Sequence, residues 1–298
     1  MTTRYITRAP AAAGGTIALG GGLTVNRMGF GAMRLTGKGI WGPPADRPEA
    51  IRVLRRAVEL GVNFIDTADS YGPNVAEELI AEALHPYPEG LVIATKGGFE
   101  RPGPGRWTEN GRPEYLRSCL EGSLRRLRLE RIDLWQLHRI DPNVPAAEQF
   151  DVMRDFQRQG LVRRLGLSEV SAPEIGRARR TVPIASAQNR YNVMDRQWDA
   201  EVEYCERESL AFIPWFPLSA GSLDESGPVA RVARRHGATV YQIALAWLLA
   251  RSPVMLVIPG TSSVRHLEEN VRAAEIRLTD EDLKELNEVA TAPPPPNT

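Results

Sequence analysis

Leu91-Val92-Ile93-Ala94-Thr95-Lys96, bounded by Gly90 and Gly97, is a short apolar run of strand length. The segment Pro113-Glu114-Tyr115-Leu116-Arg117-Ser118-Cys119-Leu120-Glu121-Gly122-Ser123-Leu124-Arg125-Arg126-Leu127 follows it. In that segment Leu116, Cys119, Leu120, Ser123, Leu124 and Leu127 recur at the i, i+3, i+4, i+7 spacing of one helix face. Pro113 suits a first helical turn, where a missing N–H costs nothing. Ile132-Asp133-Leu134-Trp135-Gln136-Leu137 is a second strand-like run. A strand, a helix and a strand in this order form a crossover unit, the connection that parallel strands need.

The same alternation extends in both directions. Strand-like segments stand at residues 28–32, 62–66, 91–96, 132–137, 164–167, 184–188, 211–215 and 255–258, which makes eight, and we expect a helix after each. The clearest remaining helical patterns cover residues 47–60, 75–84, 146–159, 196–208, 241–250 and 264–274, with another from Pro173. Eight βα units with no break in composition favour an α/β fold of one closed (β/α)8 TIM barrel. The competing open, doubly wound sheet would place a glycine-rich turn directly between its first strand and a helix. Gly37-Lys38-Gly39-Ile40-Trp41-Gly42 matches that string, but Pro43 and Pro44 follow at once, so it reads as a loop. Residues 16–25, around Gly20-Gly21-Gly22, read as an N-terminal β-hairpin plugging one end of the barrel. Residues 279–289 read as an extra C-terminal helix with Thr279 as its N-cap. The chain is expected to be a single domain over residues 1–298, with a core at 16–290 and a loose proline-rich tail at 291–298.

Composition excludes several classes of function. The 298 residues carry 37 Lys+Arg against 37 Asp+Glu, so a nucleic-acid footprint, which needs a basic excess, is not expected. The longest apolar run, residues 243–250, is far too short for a bilayer span. Cys119 and Cys205 make no disulfide framework, and Cys119 lies in an apolar stripe where a buried thiol is expected. Pro10, Gly14 and Gly15 interrupt any secretory segment, and a cytoplasmic location follows as the expectation. His85, His138, His236 and His266 are scattered without ligand pairing, so no metal site is expected and a metal-dependent barrel hydrolase is disfavoured.

Barrel enzymes carry their chemistry where strands end and βα loops begin. Asp66, Lys96, His138, Ser168, Gln188 and Trp215 end or follow successive strands, and Pro259-Gly260-Thr261-Ser262 follows the last. Taken singly, Asp66 and Lys96 read equally as a buried ion pair and His138 as a rim histidine. Convergence from different strands is the stronger signal.

Asn63-Phe64-Ile65-Asp66-Thr67-Ala68-Asp69-Ser70-Tyr71-Gly72 resembles the signature of the aldo-keto reductase superfamily. The resemblance runs on through Gly29-Phe30-Gly31-Ala32-Met33, Ala94-Thr95-Lys96, Gln136-Leu137-His138, Gly166-Leu167-Ser168, Gln188-Asn189-Arg190-Tyr191-Asn192 and Ile258-Pro259-Gly260 before Glu268-Glu269-Asn270. Gly42-Pro43-Pro44-Ala45-Asp46-Arg47, with Thr261-Ser262-Ser263, makes it similar to bacterial members related to pyridoxal reductases.

The resemblance implies reduction of small aldehydes or ketones by NADPH, with Asp66, Tyr71, Lys96 and His138 as the catalytic set. Tyr71 would donate the proton, and Lys96 would lower its pKa from about 10. Asp66 would hold Lys96, and His138 would orient the carbonyl. Ser168, Glu169 and Gln188 match positions beside the nicotinamide carboxamide, and Trp215 the position on which its ring stacks. Gly31, Ala32, Met33, Phe216, Pro217, Leu218, Ser219, Gly221, Ile258, Gly260, Thr261, Ser262, His266, Glu269 and Asn270 complete the implied cofactor set. Glu169 stands where many relatives have Asn; it is expected to accept a hydrogen bond from the carboxamide amine. Gly260 and His266 replace basic residues that many relatives set against the adenosine 2′-phosphate. Thr261, Ser262 and Arg265 compensate, leaving NADP(H) favoured over NAD(H). Trp41, Phe99 and Trp107 are candidate walls of the substrate pocket, the last two in a long loop at residues 97–112. The expected partner is a small carbonyl substrate, and the expected state a monomer or weak homo-oligomer. The alternative function is a non-catalytic NADP(H)-binding redox sensor acting through a protein partner.

Overall fold

The computed structural model describes residues 9–219, 223 and 226–289. An antiparallel hairpin, β1 (Thr16–Ala18) and β2 (Thr24–Asn26), comes first. Seven parallel strands then form the curled sheet: β3 (Phe30–Gly31), β4 (Phe64–Asp66), β5 (Val92–Gly97), β8 (Ile132–Leu137), β9 (Val162–Ser168), β10 (Ile184–Gln188) and β11 (Ala211–Phe212), adjacent in that order. The eighth segment expected at residues 255–258 is not a continuous strand. It closes the ring by single bridges, Met255 to Phe212 on one side and Val257 to Met28 on the other. Gly29 N–H donates to Val257 O at 2.8 Å and Leu256 N–H to Phe212 O at 2.9 Å. Pro253 and Pro259 flank this stave and have no N–H to extend the ladder. The fold is the expected (β/α)8 barrel.

Between the strands run α1 (Arg47–Glu59), α2 (Val75–Leu84), α3 (Pro113–Leu127), α4 (Ala146–Arg158), α5 (Ala172–Arg179) and α6 (Asp199–Arg207). After β11 come two helices, α7 (Pro228–His236) and α8 (Val240–Arg251), then α9 (Val264–Arg272) and α10 (Asp280–Asn287). The pattern of alternation did not reveal α7. Its buried face is only Val229, Ala230, Val232 and Ala233, with Arg231, Arg234 and Arg235 between and beyond them. Side-chain caps start several others: Asp46 accepts from Glu49 N–H at α1, and Thr279 forms a capping box with Asp282 at α10.

The loop expected at residues 97–112 is instead a second hairpin, β6 (Phe99–Gly103) and β7 (Arg106–Glu109), disguised by Pro102, Gly103, Pro104 and Gly105. Residues 37–42 are a loop, as the prolines indicate. Both cysteines are buried and free. The proline-rich tail and Gly221 lie outside the described residues.

Two apolar clusters result. The larger fills the space between strands and helices. The smaller joins Ile17, Leu19, Leu23 and Val25 of the first hairpin to Phe64, Val92, Ala94 and Leu134 inside the barrel. The hairpin therefore plugs the end where strands begin. Side chains alternate along a strand, so Asp66, Lys96 and Gln136 stand on this same lumenal side, two residues beyond Phe64, Ala94 and Leu134. The open end of the lumen is polar because of that period of two.

Candidate active site

Lys96 is wholly buried at the top of β5. Its Nζ donates to Asp66 Oδ2 at 2.6 Å, to Thr67 O at 2.9 Å and to the Tyr71 hydroxyl at 3.2 Å. Asp66 Oδ1 accepts from Gln188 Nε2 at 2.9 Å and Gln136 Nε2 at 3.2 Å. The buried carboxylate is thus matched by one cation and two amides, which a charge in such a place requires. Tyr71 hangs from the loop after β4, whose backbone is tied back by Asp69 N–H to Lys96 O at 3.2 Å. The loop turns at Gly72 with φ +101°, where an added Cβ would stand 2.4 Å from Val75. His138 follows β8, its N–H bonded to Gly97 O at 3.0 Å, and its ring lies 6.0 Å from that of Tyr71. The four residues of the expected set are brought together.

Their electrostatics differ from expectation in one respect. Burial pushes the Tyr71 phenol upward; Lys96 pulls down but is outweighed, with Asp66 adding to the rise. Burial also works to lower the Lys96 ammonium, yet Asp66 and Tyr71 overcome it and the net direction is up. His138 is held well below the ordinary histidine value by burial, then by the cations Lys96, Arg139 and Arg101. The site at neutral pH therefore presents a neutral phenol, an ammonium and a neutral imidazole. Ser70 Oγ lies 3.4 Å from His138 Nδ1. With Nδ1 accepting from this hydroxyl, Nε2 carries the ring proton.

Above the four lies a cleft of about 2300 Å³, larger than the roughly 300–1,000 Å³ of a drug-sized pocket and roomy enough for a dinucleotide beside a substrate. Gly31, Met33, Ser168, Glu169, Gln188, Trp215, Phe216, Pro217, Leu218 and Ile258 line it, as do Gly260, Thr261 and Ser262 just before α9 and His266, Glu269 and Asn270 on it. Ala32 is fully buried beneath the lining, and Ser219 stands outside it. Glu169 does not offer its Oε1 freely: that atom accepts from Trp215 Nε1 at 2.6 Å and Arg190 N–H at 2.6 Å. Its part is to fix the indole plane. At α9 the Val264 N–H already donates to Glu49 Oε1 at 3.0 Å, and the Ser263 N–H donates to Thr261 Oγ1 at 3.1 Å.

On the substrate side Phe99 and Trp107 line the cleft, with ring centroids 4.6 and 6.1 Å from His138. Trp41 does not line it; it stands behind Arg101, whose guanidinium lies 5.6 Å from its ring. Sequence reasoning passed over Arg139, which lines the cleft and donates to Ser168 Oγ at 3.0 Å. Its position directly after His138 at a strand end was the available signal.

Residues 27–291 match the Aldo/keto reductase family. The chain belongs to that family. An uncharacterized oxidoreductase of Schizosaccharomyces pombe is 51% identical over 275 residues, covering 92% of this chain and 89% of that one. Pyridoxine 4-dehydrogenase of Escherichia coli is 42% identical over 273 residues, covering 90% of this chain and 96% of its own length. An aldo-keto reductase of Klebsiella pneumoniae, solved with NADPH, superposes with a TM-score of 0.77 at 26% identity over 91% of this chain and 93% of that one. The barrel described here is therefore that of an aldo/keto reductase, and the protein is an oxidoreductase. No described helix is long and apolar enough to cross a membrane.

Proposed function

We propose that the protein is an NADPH-dependent reductase of small aldehydes and ketones, with flat aryl aldehydes of the pyridoxal kind as its preferred class. One observation carries this reading: Lys96 Nζ stands 2.6 Å from Asp66 and 3.2 Å from the Tyr71 hydroxyl, beside the neutral ring of His138. The pyridoxine-oxidising relative and the NADPH-bound neighbour support the substrate class and the cofactor.

The cofactor, when bound, supplies the hydride. Ser168 and Gln188 would hold its carboxamide, Trp215 would meet the ring, and Thr261, Ser262 and His266, with Arg265 beside His266, would meet the 2′-phosphate. His138 Nε2–H donates to the substrate oxygen and aligns the carbonyl. The carbonyl carbon gains the hydride and its oxygen gains the Tyr71 proton. Burial keeps that phenol protonated until an alkoxide, a much stronger base, develops against it. Lys96 then stabilises the phenolate, and Asp66 keeps the ammonium fixed. Phe99 and Trp107 press on a flat substrate from the side.

The test is a carbonyl panel, including pyridoxal and 4-nitrobenzaldehyde, assayed with NADPH and with NADH. Loss of nicotinamide absorbance with NADPH, faster than with NADH, is expected. Tight NADPH binding without turnover of any member would overturn the reading in favour of a redox sensor.

A further inference from the structure

Arg101, in β6, gathers the loops that follow three successive barrel strands. Its Nη2 donates to Gly39 O at 3.2 Å in the loop after β3. Its Nη1 donates to Ser70 O at 2.5 Å, immediately before Tyr71, and its Nε to Arg106 O at 2.9 Å across the β6–β7 hairpin. The guanidinium stacks 3.6 Å from the centre of the Trp107 ring and 5.6 Å from that of Trp41. No described carboxylate pairs with it. Every acceptor is a neutral carbonyl, and burial lowers its pKa. A lone surface arginine would have no reason to surrender hydration for three backbone oxygens from three loops.

The geometry points to Arg101 as a positioning residue that locks the Trp41 loop, the Trp107 hairpin and the backbone beside Tyr71 into one substrate wall. Two backbone contacts depend on that lock. Gly105 N–H reaches Gly39 O at 2.9 Å, and Gly42 N–H reaches Gly72 O at 2.6 Å. A planar fork with donors in fixed directions can serve three acceptors at once, while an ammonium is a point donor that cannot also stack its plane on an indole. The inference rests on the proposed reductase reading for its kinetic consequence, though not for its structural one.

The test compares wild type with Arg101→Met and Arg101→Lys. For Arg101→Met we expect KM for pyridoxal or 4-nitrobenzaldehyde to rise about tenfold, the scale of a lost, partly desolvated cation–π contact. Its kcat should fall less than KM rises, its NADPH Kd should stay within about twofold, and Arg101→Lys should recover less than half of the loss. Hydrogen exchange should quicken at the Gly42 and Gly105 amides. Unchanged exchange at both amides would overturn the clamp whatever the activity. Unchanged KM in Arg101→Met, or full rescue by Arg101→Lys, would overturn its part in substrate binding. Absence of turnover in wild type would refute the reductase reading alone and leave exchange to decide. If Arg101→Met folds poorly, Arg101→Lys carries the same exchange readout in milder form.

Discussion

The floor of the cleft and its substrate wall are built on different terms. Asp66, Lys96 and Gln136 are the last lumenal side chains of adjacent parallel strands, and their spacing is set by ladder hydrogen bonds such as Lys96 opposite Gln136. The charge there is matched within the floor itself, Lys96 by Asp66. The wall is assembled from a glycine-rich loop and a separate two-stranded hairpin that share no strand pairing with the barrel sheet. Arg101 joins them through neutral carbonyls, leaving its charge unpaired. A floor of this kind cannot change without unfolding the barrel end, whereas a wall of this kind can be rebuilt around another substrate.

The contrast can be broken first at Tyr71. Tyr71→Phe should reduce kcat about 10²–10⁴-fold, the usual worth of a positioned acid, while NADPH Kd by fluorescence titration stays unchanged. Turnover close to wild type would mean that the proton comes from elsewhere and that the floor is not the chemical centre. Next, Lys96→Met strips the cation from a carboxylate that is 2% exposed, and urea unfolding should show a loss of about 3–5 kcal/mol. Adding Asp66→Asn should restore much of it. A loss confined to activity would deny that the pair is part of the barrel's stability.

The wall answers more gently. Trp107→Ala should raise KM for a flat aryl aldehyde by about tenfold, consistent with one aromatic contact plus its buried area, and leave kcat for a small aliphatic aldehyde nearly unchanged. Equal effects on both substrates would assign Trp107 to the floor. The last test lies in the Tyr71 loop itself. Asp69 is pushed up to about 7 by burial, then by the charge of Glu77, while Cys119, Arg126 and the Ser70 backbone pull the other way. Tyr115, on the same helix as Cys119, also faces this group. An acid with a raised folded pKa binds more protons folded than unfolded, so its contribution is full below about 4 and is lost as pH climbs to about 7. Asp69→Asn should melt with wild type at pH 4 and above it at pH 8. Parallel melting curves at both pH values would remove Asp69 from the account.

Much of the floor was legible in sequence. The alternation of residues 91–137 gave the crossover unit, and the polar residues at strand ends gave Asp66, Lys96 and His138 before any coordinates. Strand ends also marked Ser168, Gln188 and Gly260 to Ser262, but Tyr71, His266, Glu269 and Asn270 needed the family resemblance, because nothing in local spacing says which loop or helix residue turns toward the cleft. Helix α7 and the β6–β7 hairpin escaped because one is rich in arginine and the other broken by Pro102 and Pro104. The direction of the Tyr71 shift also escaped, since spacing shows Lys96 nearby but not how completely the phenol leaves water.

What the chain alone determined is its periodicity: periods of two and 3.6 fix which side chains face the lumen and which helix stripes cover the sheet. What the tertiary structure decided is every relation carried by a long, flexible side chain across loops. Arg101 reaches Gly39 across sixty-two positions and Glu169 reaches Trp215 across forty-six. Such contacts leave no period in the sequence, because their partners are backbone carbonyls and ring edges that meet only when the barrel has closed.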